Sequence, residues 1–249
     1  MIKRILSRAV DEEEWPIWRL PLMLSIGFVL AGGLFYGLYF GPGLSFLRGL
    51  DYNPSNKTYA VKLEVGGTLF AVPANYTRNA ASRRAGQHQL MTLHTLLPNL
   101  TGYQLSTKEQ FLRVDDASPL VIISISGVNR ELPNERRFES LYAPYLNGKN
   151  GAVENDLQAF HFSADTPYAG KDLFRALVAG SIQQRATAAL FICDQLDKPG
   201  ANCETRFDLG RSAEVSYLFK RQHLSDWQSI DAKVKDLIKG FRSATRIGN

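Results

Sequence analysis

The chain has 249 residues, of which 45% are hydrophobic and 21% are charged. This composition excludes simple disorder, a collagen-like repeat and a small disulfide scaffold, and it fits one or two compact domains. The formal net charge of +5 at pH 7 is too small and too dispersed to predict nucleic-acid binding.

The first strong pattern is an uncharged apolar segment near the N-terminus. No Asp, Glu, Lys, Arg or His occurs between Arg19 and Arg48. As a helix, residues 20–40 would extend roughly 30 Å, the thickness of the hydrocarbon core of a bilayer. We therefore predict a leader at 1–19, a transmembrane helix at 20–40, a tether at 41–57 and an exported domain at 58–249.

Aromatic residues flank this segment, as they do in many membrane-spanning helices. The predicted membrane-interface residues are Trp15, Trp18, Tyr36 and Tyr39. The alternative is a cleaved signal peptide, whose apolar region is usually about 7–15 residues long and is followed by small residues. The length of this segment and its aromatic end favour an uncleaved anchor.

The distribution of positive charge predicts the orientation of the anchor. Basic residues precede the segment at Lys3, Arg4, Arg8 and Arg19, whereas only Arg48 and Lys57 follow it closely. Because Lys and Arg concentrate on the cytoplasmic side of a membrane helix, the leader is predicted to be cytoplasmic. In a Gram-negative bacterium, the chain would be a single-pass inner-membrane protein with a periplasmic C-terminal domain.

Three glycines in this segment predict contact with another membrane protein. Gly33, Gly37 and Gly41 recur every four residues and so share one helix face. Glycine on one face lets another helix approach closely in lipid. The alternative is that glycine is simply common in membrane helices.

The exported part begins with a predicted β-hairpin. A Gly66-Gly67 turn would pair Val65 with Thr68, and the pairs Leu63–Phe70 and Val61–Val72 would continue the register. These three pairs fall on one face, and the more polar pairs Lys62–Ala71 and Glu64–Leu69 fall on the other. Turn chemistry and alternation therefore agree on one register.

A polar loop follows, with arginines at 78, 83 and 84. Arg78, Arg83 and Arg84 are candidates for contact with an anionic partner or lipid headgroups. The alternative is a solvated loop, since no aromatic residues are interleaved among them.

The middle of the exported part alternates between predicted strands and helices. Residues 120–125 are almost continuously apolar, which predicts a central strand buried on both faces. Apolar spacing predicts helices at 135–146 and 171–185, and residues 153–162 are predicted to form one strand. Pro144 weakens the end of the first helix.

The two cysteines predict a disulfide. Nine residues lie between Cys193 and Cys203, in a hairpin-like segment that contains Pro199-Gly200. In an oxidising compartment this pair would be bonded. The alternatives are two unrelated buried thiols or a redox pair, but the spacing does not fit a CxxC redox or zinc motif.

The C-terminal part predicts one strand and one helix. Residues 213–220 alternate between apolar and polar side chains, which indicates a half-buried strand. Ser225 is the predicted N-cap of the last helix, and the apolar stripe from Trp227 to Phe241 is expected to pack on the domain's own sheet. The alternative is a partner groove or a membrane surface.

Strands, helices and hairpin signals without a repeated βαβ unit predict an α+β domain. The domain is expected to have a mainly antiparallel sheet and about three helices.

No catalytic, cofactor-binding or metal-binding motif occurs in the sequence. The four histidines form neither HExxH nor an i, i+4 pair. No nucleotide, flavin or haem motif is present, and no GxSxG elbow occurs. We predict no cofactor and no metal, but site residues can meet in space without a motif, so enzymatic activity stays open.

Two classes of function follow. The first is a non-enzymatic anchored protein that binds a protein partner or stabilises a membrane complex; an immunity-type inhibitor of an exported toxin is one special case. The second is an envelope enzyme or ligand-binding protein, hydrolase-like, in which His161 or His94 meets a carboxylate in a cleft.

Overall fold

The computed structural model describes residues 18–39, 52–127, 134–148, 151–177, 187–210 and 212–247. The chain divides into two compact units, Met1–Arg48 and Gly49–Asn249.

The first unit contains helix α1, Arg19–Tyr39. Its described side chains are those of residues 21–36, and the large apolar ones are between 49% and 79% exposed. Within the described part of the chain, no helix is both long enough and apolar enough to cross a membrane. Trp15, Gly41, the start of the leader and most of the tether lie outside the described residues.

The second unit is an α+β domain with eleven described strands. The strands are β1 Ala60–Val65, β2 Thr68–Pro73, β3 Gly86–His88, β4 Leu90–Leu96, β5 Leu120–Gly127, β6 Ala152–Glu154, β7 Leu157–His161, β8 Lys171–Leu177, β9 Thr187–Asp194, β10 Asn202–Asp208 and β11 Ala213–Lys220. Its described α-helices are α2 Lys108–Leu112, α3 Asn134–Arg137 and α4 Trp227–Ile247.

The strands form two sheets. The larger has eight strands in the order β4-β5-β11-β10-β9-β8-β7-β6, and all its neighbours are antiparallel. The smaller has the order β2-β1-β3, with β3 parallel to β1. The predicted α+β class and mainly antiparallel sheet are confirmed.

The first hairpin has the predicted register, with Val65 opposite Thr68 and Val61 opposite Val72. Both turn glycines have positive φ, +55° at Gly66 and +74° at Gly67, which glycine adopts without steric cost. Val61, Val65 and Val72 are buried, so one face of this hairpin enters the core.

One continuous core joins both sheets and α4. The inner face of the large sheet contributes residues such as Ile123, Tyr217 and Phe191. From α4, Ile230, Val234, Ile238 and Phe241 enter the same core. The last helix therefore packs on its own domain, as predicted.

Four local predictions are wrong. Residues 171–177 form strand β8 rather than a helix, and the rest of the predicted helix lies outside the described residues. The predicted strand 153–162 is a hairpin, because Asn155 and Asp156 adopt positive φ and turn the chain between β6 and β7. Strand β5 is buried on one face only, since its residues alternate between buried and half-buried. Ser225 is no N-cap, because a 3-10 turn, Arg221–Asp226, leads directly into α4.

The predicted helix at 135–146 is irregular. α3 continues into a π-helical turn, Phe138–Tyr142, and a 3-10 turn, Ala143–Tyr145. These turns pack aromatic side chains on the outer face of the large sheet, where Tyr142 lies in a cluster with Phe160 and Leu173. Pro144 lies in the final 3-10 turn.

Candidate functional site

The site with the most distinctive chemistry is a cavity of about 280 Å³ at the edge strand β4 of the large sheet. Its walls come from β4 and β5, from α2, from the segment after β2 and from the start of the second unit. The lining residues are Tyr52, Pro54, Asn75, Thr77, Arg78, His94, Tyr103, Phe111, Leu112, Arg113, Val114, Leu120 and Ile122.

The alternation of β4 places His94 on the outer face of the sheet. Leu93 and Thr95 are buried on the inner face, and His94 lies between them, opposite Ile122 of β5. α2 covers this part of the outer face, where Phe111 makes an edge contact with Tyr103 at a ring-centroid distance of 5.3 Å. The cavity lies beneath this cover.

Two residues that line the cavity each carry one buried polar atom that has no hydrogen-bond partner among the described residues. Asn75 is 7% exposed, and its Nδ2 donates to the backbone carbonyl of Tyr103 at 3.4 Å, while its Oδ1 has no hydrogen-bond partner. The Nδ1 atom of His94 is also buried without a partner. Such groups are rare in native proteins because each costs free energy.

His94 is neutral at physiological pH. Burial, and next the nearby positive charge of Arg78, lower the pKa of its imidazole from 6.5 to about 4. A neutral imidazole has one donor nitrogen and one acceptor nitrogen. The guanidinium of Arg78 lies 5.3 Å from the ring centroid of Tyr52, which brings a cation and an aromatic ring to the same wall.

The predicted arginines have different roles in the structure. Arg83 is engaged within the domain, since it donates to the carbonyl of Asn53 at 2.7 Å and to Oγ1 of Thr77 at 3.1 Å. Arg78 lines the cavity, and Arg84 is exposed. Only one of the three therefore lies at this site, and contact with an anionic partner stays a prediction.

The histidines are dispersed. His88 and His223 line two other cavities, and His94 lines this one. His161 contacts a carboxylate, with 2.7 Å between its Nδ1 and Oδ1 of Asp172, but its side chain is 71% exposed. Within the described part of the chain, no cluster of three or more His, Cys, Asp or Glu residues could hold a metal ion.

Asp172 belongs to a buried ion pair rather than to a cleft. Its Oδ2 accepts from Arg221 at 2.6 Å, and Arg221 also donates to the backbone carbonyl of Asp194. These contacts tie the chain entering α4 to the ends of β8 and β9.

The cysteine prediction is confirmed. Cys193 and Cys203 lie directly opposite each other on β9 and β10 and form a disulfide. Both are fully buried in the main core.

The helix-packing residues can be placed only in part. Gly33 and Gly37 lie in α1, and a Cβ added at Gly33 would meet no atom within 4 Å. Trp18 is 62% exposed and Tyr36 is 66% exposed. Tyr39 ends α1, and its side chain is outside the described residues.

Sequence reasoning missed the pairing of Asn75 with His94 in one cavity. The two residues lie nineteen positions apart, Asn75 in the 3-10 turn after β2 and His94 in β4. A histidine on the outer face of an alternating strand was the only available signal.

The second unit thus defines an α+β domain with a partly open cavity that is lined mainly by apolar and aromatic side chains. The sequence matches no protein-family model, and no curated protein matches it.

Comparison with solved structures found two similar chains. An immunity protein of the Stenotrophomonas maltophilia type IV secretion system has a TM-score of 0.53 and 19% identity, covering 75% of this chain and 94% of that chain. The iron-regulated outer membrane lipoprotein FrpD of Neisseria meningitidis has a TM-score of 0.46 and 15% identity, covering 77% of this chain and 97% of that chain. The first likeness is one of fold, and the second is too low to support a conclusion.

Proposed function

We propose that this chain is a single-pass inner-membrane protein whose periplasmic domain binds a protein partner without catalysing a reaction. Stabilising a membrane complex and inhibiting an exported toxin are two forms of that role. The observation that carries the proposal is the fold shared with an immunity protein over 75% of this chain.

An immunity role is a protein-binding role. Immunity proteins of nuclease toxins are known from some of the tightest protein–protein complexes. A shared fold does not transfer the partner, because one fold supports many functions. The shared fold supports a protein-binding role in general, without naming the partner.

The proposed anchor rests on residues 20–40. The sequence lacks charged residues throughout this segment, and the described apolar side chains of α1, such as Phe28 at 79% and Val29 at 74%, are largely exposed. Transfer of each such side chain from water to an apolar environment is favourable by about 1.5–3 kcal/mol. Insertion of α1 into a bilayer would remove all of these apolar side chains from water.

The disulfide supports an exported location for the second unit. Disulfides form and persist in oxidising compartments such as the periplasm and are rare in the cytosol. The bonded pair Cys193–Cys203 therefore agrees with the orientation derived from the flanking charges.

Protease accessibility tests the topology. In cells with a permeabilised outer membrane, added protease should digest the second unit while a tag on the leader stays protected. Protection of the second unit in intact spheroplasts would contradict the proposed orientation.

Glycine variants test whether the anchor contacts another membrane protein. The double change Gly33→Leu and Gly37→Leu is expected to remove a co-purifying protein and to shift migration on native gels. Gly27→Leu is the matched control, because Gly27 lies on another face of α1 and also has open space around it. Unchanged migration and unchanged co-purifying proteins in the double variant would overturn helix packing.

A ligand-binding or enzymatic role is the second candidate function. One observation favours it: a partly open cavity of about 280 Å³ is lined by His94, Asn75 and aromatic side chains. Concave, mostly apolar sites with a few polar groups are common locations of ligand binding.

A further inference from the structure

The cavity at β4 is bordered by apolar side chains that are exposed to solvent. Tyr52, Leu112 and Val114 line it and are all exposed, Val114 by 82%. The two cavities beside Gly66 and His223 are lined by no exposed large apolar side chain of the described residues. Neighbouring exposed apolar groups around a concave site mark an interaction surface. We call Tyr52, Leu112 and Val114 the apolar rim.

The chain enters the second unit at the apolar rim. Tyr52 is the first described residue of this unit, and the guanidinium of Arg78 lies 5.3 Å from its ring centroid. The next residue is also fixed, because the amide of Asn53 donates to the carbonyl of Arg78 at 2.9 Å. The carbonyl of Asn53 accepts from Arg83 at 2.7 Å. These contacts hold the entry of the chain beside the cavity.

The length of chain before Tyr52 keeps the rim close to a membrane in an anchored chain. Twelve residues, 40–51, separate Tyr39 at the end of α1 from Tyr52. A segment of that length spans at most roughly 45 Å, even when it is fully extended. In a chain anchored by α1, the rim therefore stays within that distance of the lipid surface. This favours the rim over surfaces that lie farther from the chain entry.

The chemistry of the rim fits the boundary between lipid headgroups and acyl chains. Tyrosine is enriched at this boundary, because its ring is apolar and its hydroxyl is polar. Leu112 and Val114 add aliphatic side chains beside it. Arg78 lines the same cavity and is exposed, so it supplies a cation for lipid phosphates.

The other charges near the rim are nearly balanced. Arg113 forms an ion pair with Asp115 at 2.8 Å, and α2 carries both Lys108 and Glu109. Balanced charges attract an anionic membrane only weakly, so apolar contact has to supply most of the affinity. Docking through this surface should therefore persist in neutral lipid and at high salt.

We propose that the second unit lies against the lipid surface through the apolar rim. Leu112 and Val114 enter the headgroup region, the ring of Tyr52 lies at headgroup level, and Arg78 faces lipid phosphates. This inference rests on the proposed membrane anchor, but it requires no protein partner. A protein seated on the rim is the competing occupant, and the experiment distinguishes the two.

Quenching by spin-labelled lipids tests the docking in the full chain. The chain is reconstituted into phosphatidylcholine vesicles with nitroxide lipids in both leaflets, so the direction of insertion does not affect the result. A fluorescent label is attached at Val114→Cys or, as the matched control, at Val153→Cys. Val153 is 80% exposed on β6, the other edge of the large sheet. Cys193 and Cys203 are buried in their disulfide, so only the introduced thiol reacts with the label.

The label at Val114→Cys should lose at least about half of its fluorescence, because interfacial side chains lie roughly 5–10 Å deep, beside the nitroxides. The label at Val153→Cys should lose less than about a fifth, since eight strands spaced about 4.8 Å apart separate the two edges of the sheet. Equal quenching at the two positions would overturn the proposal. Quenching at Val114→Cys that disappears at high salt would also overturn it.

Flotation of the same vesicles separates failure of the docking from failure of the anchor. A chain that floats with the vesicles but shows no quenching at Val114→Cys keeps its anchor and overturns lipid docking. The rim would then be a candidate surface for a protein partner. A chain that does not float overturns both the anchor and the docking that rests on it.

A charge substitution tests whether the apolar surface itself is responsible. With the label at Leu112→Cys, the further change Val114→Glu should remove most of the quenching, because an ionised carboxylate is costly to take out of water. Val153→Glu is the matched control and should leave the quenching of the same label unchanged. Both positions are exposed, so neither change should disturb folding. Quenching that survives Val114→Glu, or that is lost equally in both variants, would contradict the assignment.

Discussion

Lowering the pH should destabilise the second unit through His94. The folded state holds the pKa of this imidazole at about 4, chiefly through burial, whereas the unfolded state has the ordinary value of 6.5. Between these values the unfolded state binds a proton that the folded state does not bind. Stability from this group is therefore complete above about pH 6.5 and is lost as the pH falls toward 4.

The magnitude follows from the two pKa values. Each tenfold difference corresponds to about 1.36 kcal/mol, so the complete loss is about 3 kcal/mol and the loss between pH 7 and pH 5 is about 2 kcal/mol. Comparison with His94→Phe isolates the contribution of His94, because the two proteins share every other titratable group.

Urea unfolding followed by circular dichroism provides the assay, on the fragment 49–249 that forms the second compact unit. Unfolding free energies are measured at pH 7 and pH 5 for the wild type and for His94→Phe. The wild type should lose about 2 kcal/mol more than the variant over this range. An equal loss in the two proteins would refute the reasoning, as would NMR titration of His94 near pH 6.5.

Three further predictions concern stability. Replacing Cys193 and Cys203 by alanine should cost roughly 3 kcal/mol in urea unfolding, as expected for a loop of this length, and addition of a reductant should then change nothing more. Ile238→Ala removes a side chain with no exposed surface and should cost about 2–5 kcal/mol, whereas a loss below 1 kcal/mol would contradict the packing of α4. Gly66→Ala should destabilise more than Gly67→Ala, because a Cβ at Gly66 would lie 2.1 Å from the carbonyl oxygen of Ser212 and one at Gly67 would meet nothing; equal melting temperatures would refute this.

Elements with strong local signals could be predicted from the sequence. The hairpin at Gly66-Gly67 combines a turn that requires positive φ with strict alternation, so only one register buries its apolar face. Helix α4 and its apolar face could also be predicted, because the apolar residues from Trp227 to Phe241 recur at helical spacing. The cysteine pair agreed with the turn between β9 and β10.

Strand β8 could not be predicted, because it is buried on both faces. Leu173 faces the outer aromatic cluster, whereas Phe174 and Ala176 enter the main core. Burial on both faces removes the alternation of a strand and leaves apolar spacing that resembles a helix. Pairing with β7 and β9, which no local pattern encodes, decides the structure.

The cavity was beyond sequence reasoning for a similar reason. Its polar groups come from the segment after β2 and from β4, and α2, which covers it, has only five residues. No motif marks such an assembly, because the relevant distances exist only in the fold. Local patterns therefore predicted the first hairpin, the last helix and the disulfide of the domain, but not its candidate site.

Extraction of the tagged full chain from its native membrane in mild detergent tests the proposed function most directly. The extract is separated by size, and proteins that co-migrate are identified and quantified. The account predicts recovery in the membrane fraction and a stoichiometric protein partner. A chain that fractionates without the membrane, or that migrates as a lone monomer or homodimer, would contradict it.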